Sequence, residues 1–237
     1  MRIDHVRLDQ VRPRAGPGAA PRGNSGVGPG GFGHNGRMAE ISDKPLVDPA
    51  PVLRGHGLRL RLWDLESEAD LAAWLRGRTD PEFLRWNTPL VREQEPADAR
   101  ESLASHLDTA KGGMGMPFCV TDEATGATLG HVGIGVLSRP MRSGRVGYWV
   151  LPEARGRGVA TLALRLAGRW AFDEFGLHRL ELDHAVGHEA SCRVAERCGY
   201  LYEGTARGAM WQAGRRDAFR DCHLHARLAT DPEPELP

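Results

Sequence analysis

Apolar and polar residues alternate with period two over Leu58-Arg59-Leu60-Arg61-Leu62, the pattern of a strand with one buried face. The period then lengthens. Asp64 to Arg76 puts Leu71, Ala72 and Leu75 on one helical face, and Asp80-Pro81 breaks that run. Pro81 to Trp86 reads as a short second helix. Glu95-Pro96 opens a third, with Ala99, Leu103 and Leu107 in step and Gly112-Gly113 ending it. Strands return: Pro117 to Thr121 is short and apolar, Thr128 to Leu137 carries Gly130, Gly133 and Gly135, and Arg145 to Leu151 is strand-like, with turns at Glu123-Ala124-Thr125-Gly126 and Ser143-Gly144. Three hairpin-linked strands therefore lead into Arg155-Gly156-Arg157-Gly158-Val159-Ala160.

Beyond that stretch, Val159, Leu162, Ala163, Leu166, Ala167, Trp170 and Ala171 form one stripe. It predicts a helix from Val159 to about Phe172, packed on a sheet and capped near Gly176. Arg179 to Val186 follows as a strand and Glu189 to Cys198 as a short helix ended by Gly199. Leu201 to Trp211 and Ala218 to Leu228 form a closing hairpin around Ala213-Gly214. There is no internal repeat.

Composition changes this picture mainly at the ends. Residues 1–50 are rich in Gly, Pro and Arg and bury too little apolar surface to offset their ordering entropy, so a disordered extension is expected there. Met38 opens more ordinary sequence and is an alternative start. The globular domain is placed at 53–229, with a loose acidic tail over 230–237. Lys+Arg and Asp+Glu balance at 31 each, which gives no electrostatic case for nucleic acid or an anionic membrane as partner. No apolar run approaches the ~20 residues of a membrane span, and the N-terminus lacks a signal-peptide core, so a cytoplasmic location is expected. Cys119, Cys192, Cys198 and Cys222 make no C-x-x-C pair and read as free thiols.

The candidate chemistry begins at the Gly-rich turn. Between a strand and a helix N-terminus, such a turn offers backbone N–H groups and the positive end of the helix dipole, an anion cradle suited to a diphosphate. Arg155 and Arg157 add charge. No Gly-Lys-Ser/Thr follows, which argues against a P-loop. The hairpin-linked strands before the turn argue against a dinucleotide βαβ unit.

Two further matches give the turn a context. Arg155-x-x-Gly158-x-Ala160, directly after Tyr148-Trp149-Val150-Leu151-Pro152, resembles the Gln/Arg-x-x-Gly-x-Gly/Ala cofactor motif of the GNAT acyltransferases. Ala190-Ser191-x-Arg193-Val194-Ala195-Glu196-Arg197-Cys198-Gly199-Tyr200, with Glu203-Gly204 behind it, is similar to a signature of the ribosomal-protein alanine/serine N-terminal acetyltransferase branch. Trp86-Asn87-Thr88-Pro89 resembles the same branch. The resemblance covers roughly residues 53–229. It implies an α/β fold with a mixed, mostly antiparallel central sheet, splayed strands and flanking helices. It implies an acetyl-CoA-dependent N-acetyltransferase acting by direct attack in a ternary complex.

The resemblance also assigns residues. The cofactor would be bound by Arg155, Gly156, Arg157, Gly158, Val159 and Ala160, its pyrophosphate on the N–H groups of Arg157 to Ala160 with Gly156 and Gly158 allowing the close approach, and pantetheine amides would pair with the strand edge near Val150 and Leu151. The tyrosine that many members use as thiolate acid aligns with Ala195 and is missing. Ser191 would contact the sulfur or pantetheine arm instead, or else merely begin its helix. His188 occupies the usual asparagine position of that element, as a hydrogen-bond partner of the pantetheine arm, an acid, or merely a tolerated exposed loop residue. For the amine's base, Asp183 and His184 are candidates at the end of their strand, with Glu181 and His131 behind them. His223-x-His225 suggests paired imidazoles, but without a third ligand in view no metal is expected. Trp86, Tyr148, Trp149 and Trp211 are either pocket walls or core, and Asp221 reads as structural. The acceptor would be a primary amine, on a protein N-terminus or a small molecule, and a homodimer is conceivable by analogy. A non-catalytic acyl-CoA-binding module, or transfer of a larger group such as succinyl, are the alternatives.

Overall fold

The computed structural model describes residues 50–87, 89, 92–212 and 215–235. The expectations for residues 1–49, the alternative start at Met38, Thr88, the turn at Ala213-Gly214 and the last two residues lie outside the described part.

In chain order the elements are β1 (Leu53–Gly55), β2 (Leu58–Leu62), α1 (Glu68–Thr79), α2 (Pro81–Trp86) and α3 (Pro96–Lys111). Then come β3 (Gly115–Asp122), β4 (Thr128–Ser138), β5 (Ser143–Val150), a 3-10 turn at Pro152–Ala154 and α4 (Val159–Asp173). The chain continues through β6 (Arg179–Ala185), α5 (Glu189–Arg197), β7 (Leu201–Trp211) and β8 (Phe219–Leu228). Among the described residues, eight strands form one sheet in the order β1-β2-β3-β4-β5-β6-β8-β7. All neighbours are antiparallel except β5 and β6.

The sheet is covered on both faces, and strand alternation decides what goes where. On β3, Met116, Phe118 and Val120 face one core and Cys119 the other; on β5, Val146 faces the first and Trp149 the second. The first core receives α4, whose stripe buries Val159, Ala163, Leu164, Ala167, Trp170 and Ala171. Leu164 is fully buried, worth roughly 1.5–3 kcal/mol relative to exposure. The second core receives α1 and α3 and is built on Trp63, Trp74 and Trp149. Gly77 of α1 is what lets the helix close on it: a Cβ there would stand 2.3 Å from the Trp149 ring.

One feature of the sheet positions the site. β5 and β6 pair in parallel only at Ser143, Gly144 and Arg145, with Arg179, Leu180 and Glu181 opposite. From Val146 onward the two strands part. The segment after β5 wraps through the 3-10 turn into α4, and the segment after β6 turns into α5. A cleft therefore opens between the strand ends, with two helix N-termini at its walls.

Candidate active site

The cleft encloses about 440 Å3 and lies between α2, the end of β5, the Gly-rich turn and α5. The turn has the geometry its glycines allow. Gly156 and Gly158 sit at φ 73° and 76°, the left-handed region where a Cβ is disfavoured. Gly158 is the N-cap of α4 and supplies no side-chain cap, and no acidic residue stands in the first turn. The first intrahelical bond runs from Leu162 N–H to Gly158 C=O. The N–H groups of Val159, Ala160 and Thr161 thus precede the helical ladder, and these three residues line the cleft. That is a site for an anion.

The strand edge is shorter than expected. Leu151 N–H donates to Leu129 C=O at 2.9 Å, and Leu151 C=O accepts from Ala154 N–H. Both Leu151 groups are used, its side chain is buried, and it does not line the cleft. The expectation that Leu151 offers a pantetheine partner is corrected. By the antiparallel alternation, the neighbouring pair Val150 and Gly130 is the non-hydrogen-bonded one, so the Val150 amide faces the open side. On that side the Val150 carbonyl already accepts from Arg155 Nε at 3.0 Å.

Arg155 also departs from expectation. Its guanidinium is held by the Asp80 carboxylate. Asp80 in turn caps α2, accepting from Glu82 N–H and Phe83 N–H. Arg155 therefore clamps the end of β5 to the start of α2 instead of standing free for phosphate. Arg157 is exposed and is not among the cleft-lining residues. Arg155 still lines the cleft, and two further basic side chains on its wall are Arg193 and Arg197 of α5, one turn apart. Sequence reasoning passed over them although both lie inside the signature around Ser191.

Ser191 is buried in the cleft wall, and its Oγ lies 2.9 Å from the Tyr148 phenol oxygen. The N-cap of α5 is His188, so Ser191 stands in the first turn and is not the cap. Burial pushes the Tyr148 phenol up to about 12, opposed by the hydrogen bond to Ser191, so it keeps its proton at neutral pH. A tyrosine hydroxyl is thus present in the cleft although Ala195, the aligned position, is fully buried. It arrives from β5, an element that motif alignment along α5 does not reach.

His188 lines the cleft and stacks on Trp86, with ring centroids 4.5 Å apart and planes 3° off parallel. Burial, then the neighbouring His184, pushes its imidazole down to about 4, so it is neutral at pH 7 and a weak base. Trp86 Nε1 donates to Glu82 Oε2 at 2.7 Å, which brings a carboxylate to the cleft that the sequence did not single out. Arg220 of β8 donates to the carbonyls of Arg85 and Trp86, fixing the end of α2.

The remaining base candidates are placed elsewhere. Asp183 accepts from Arg145 Nε at 2.9 Å, in a surface series with Glu181, Arg179 and Glu203. It lies outside the cleft lining, and its carboxylate is committed to Arg145 across the splay. His131 is buried among Trp63, Trp74 and Trp149, and its Nδ1 accepts from Trp63 Nε1 at 3.1 Å. Trp211 lies at the far end of β7, outside the cleft, whereas Trp86, Tyr148 and Trp149 contribute to its wall. Asp221 accepts from Gly208 N–H at 2.8 Å, at the irregular stretch of the β7–β8 ladder, as a structural residue would.

The metal reading is corrected on its premise. His223 and His225 do not lack further ligands: His184 and Cys192 bring donor atoms to the same point. No spacing signal existed, because the four positions come from three elements.

Comparison with known proteins comes to the same place. The family described as "Acetyltransferase (GNAT) domain" matches residues 58–201. A Bacillus subtilis (strain 168) protein named "Putative ribosomal N-acetyltransferase YdaF" is 37% identical over 38% of this chain and 49% of its own length. "Probable N-acetyltransferase YjcK" of the same organism is 33% identical over 30% of this chain and 40% of its own. The chain thus spans half or less of the length of these two curated relatives. Among solved structures, Mycobacterium smegmatis RimJ in complex with CoA-disulfide is 26% identical with TM-score 0.66, covering 76% of this chain and 86% of that one. The ribosomal-protein-S5-alanine acetyltransferase of Vibrio fischeri shares the fold, with TM-score 0.66 at 22% identity over 78% of this chain and 100% of that one.

Proposed function

Since this chain belongs to the GNAT acetyltransferase family, we propose that it transfers an acetyl group from acetyl-CoA to a primary amine, with a protein N-terminus as the acceptor. The observation that carries the reading is the arrangement across one cleft. An uncapped helix N-terminus with left-handed glycines stands on one wall, and a paired serine and tyrosine on the other. Acetyl-CoA, when bound, supplies an activated thioester and a diphosphate.

The N–H groups of Val159 to Thr161 would hold the diphosphate, and Arg193 and Arg197 would face the more distant phosphate charge. The open Val150 N–H would align the pantetheine arm as a strand partner does. With Tyr148 donating to Ser191 Oγ, the serine proton is free to point at the thioester sulfur. Ser191 would then pass its proton to the thiolate as the nitrogen–carbon bond forms and the carbon–sulfur bond breaks, taking the Tyr148 phenol proton in its place; the proton shed by the attacking nitrogen would leave to solvent, from which Tyr148 is reprotonated. Glu82 at the cleft would receive the acceptor's ammonium group, and an amine that has lost its proton attacks directly. Asp183 and His131 have no part in this scheme. The preference for a protein N-terminus rests on the names of the relatives.

The test is a mass-spectrometric and thiol-release screen of peptides with alanine and serine N-termini, set against polyamines and aminoglycoside-like amines. Acetylation of peptide α-amines is expected. Turnover confined to small amines would overturn the acceptor. Acetyl-CoA binding by calorimetry with no turnover on any amine would favour an acyl-CoA-binding module instead.

A further inference from the structure

Behind the cleft wall, four side chains from three elements converge. His184 on β6, Cys192 on α5, and His223 and His225 on β8 each offer one donor atom, and the four atoms lie within 4.8 Å of one another. Cys192 Sγ is the hub, 3.4 Å from His184 Nε2, 3.4 Å from His223 Nδ1 and 3.8 Å from His225 Nε2. A tetrahedral zinc with sulfur at about 2.3 Å and nitrogen at about 2.05 Å sets the sulfur–nitrogen edge at about 3.6 Å. The three separations straddle that value.

The outer ring nitrogens carry a second, independent observation. His184 Nδ1 lies 3.0 Å from the Ala185 carbonyl, and His225 Nδ1 lies 3.4 Å from the Tyr200 carbonyl. A carbonyl only accepts, so both Nδ1 atoms carry the proton, and both Nε2 lone pairs point at the cluster. Imidazoles bound to a metal are fixed in this way by their other nitrogen. A single S–H can donate to only one of the two Nε2 acceptors, so packing alone leaves one without a partner, whereas a cation serves both. His184 and His225 are buried, and Cys192 and His223 are partly exposed, which leaves a path of entry.

We propose that His184, Cys192, His223 and His225 form a tetrahedral zinc site. Three imidazoles and one thiolate suit a borderline ion, not the oxygen-seeking magnesium or calcium. Four protein ligands close the coordination sphere, so the site is structural. Binding replaces the Cys192 thiol proton, released to solvent, with a zinc–sulfur bond. The ion ties the first turn of α5 to β6 and β8, and so fixes the residue next to Ser191. The proposal is independent of the transfer reaction.

The experiment uses the untagged full chain. After exposure to zinc and dialysis, elemental analysis should give about one zinc per chain. Titration with cobalt(II) should give the intense visible bands of a tetrahedral ion and a thiolate charge-transfer band. Cys192→Ser should abolish the charge-transfer band and weaken binding by at least about 100-fold, the upper end of what outer-shell changes cost. His223→Gln, at a partly exposed position, keeps the thiolate band but should weaken binding to the same degree, and serves should Cys192→Ser fail to fold. Cys222→Ala, on the opposite face of β8, should bind normally. Folded protein that takes up no zinc, a cobalt spectrum without charge transfer, or undiminished binding in either ligand variant would overturn the proposal.

Discussion

Tyr148→Phe removes one oxygen atom and leaves the ring in place. The lost contact is the 2.9 Å bond to Ser191, a residue itself buried in the cleft wall. An intramolecular hydrogen bond of this kind contributes about 1 kcal/mol to stability, and an orphaned buried hydroxyl raises the loss to about 1–3 kcal/mol. The catalytic effect should be larger. A positioned acid contributes about 10²–10⁴ in rate, and Ser191→Ala removes the group placed at the sulfur. We expect kcat to fall about 100-fold in Ser191→Ala, or about 2.7 kcal/mol, and about 10-fold in Tyr148→Phe, where the serine remains but is misdirected. The double variant discriminates. If tyrosine acts only through serine, Tyr148→Phe in the Ser191→Ala background changes nothing further, and the double variant stays near 100-fold; independent roles would multiply to about 1,000-fold. The assay is steady-state thiol release, with acetyl-CoA affinity from calorimetry unchanged throughout. Multiplicative losses, or a Tyr148→Phe enzyme with full kcat, would refute the relay.

Asp80→Ala removes a helix cap and the anchor of Arg155. It should cost about 1–2 kcal/mol, read as a melting temperature lower by about 2–8 °C in a domain of this size, together with weaker acetyl-CoA binding as α2 and the Gly-rich turn separate. His188 is held neutral down to about pH 4 in the folded protein, whereas the unfolded chain takes up that proton near pH 6.5. The unfolded state therefore binds more protons between those values, and stability should fall as pH drops through the window. In metal-free protein His188→Gln should flatten the slope of urea midpoints from pH 7 to 5; an unaltered slope would refute the assignment. Glu233 lies 2.7 Å from Arg227, a buried guanidinium, and 3.7 Å from Arg165. Glu233→Ala should lower stability by about 1.5–3 kcal/mol in chemical denaturation, and a neutral result would refute a structural role for the tail.

The attachment of the C-terminal tail has no local signature in the sequence. Residues 231–235 look loose because they are acidic and rich in Pro, yet Arg165 and Arg227 hold them, with Arg165 also donating to the Pro234 and Glu235 carbonyls. The partners are distant in sequence, so no local pattern could announce them. The architecture was largely legible: the alternation over Leu58 to Leu62, the α4 stripe and the Gly-rich turn are local signals, and every element but β1 appears within a few residues of its expected place. β1 was missed because three residues carry no periodicity. Within the site, Gly156 and Gly158 were readable because positive φ selects glycine directly. Arg155 was not, because its sequence says cation while its orientation depends on Asp80. Tyr148 and Ser191, like the four zinc donors, meet only after the sheet has been assembled in its crossed order.

The short β5–β6 pairing also bears on how the molecule coheres. β1 to β5 and β6 to β8 form two leaves joined by three residue pairs at one end, with α4 running between them in the chain. Beyond those pairs, the seam is crossed by the Arg145–Asp183 ion pair and the Tyr148–Ser191 hydrogen bond, and residues of both leaves share the core under α4. A donor molecule lying along Val150 and reaching α5 would act as a splint across the seam. Backbone amides on both leaves should then exchange with deuterium more slowly once the splint is in place, and the two halves should melt as one unit. In that sense the acyl donor would complete the tertiary structure before it takes part in any reaction.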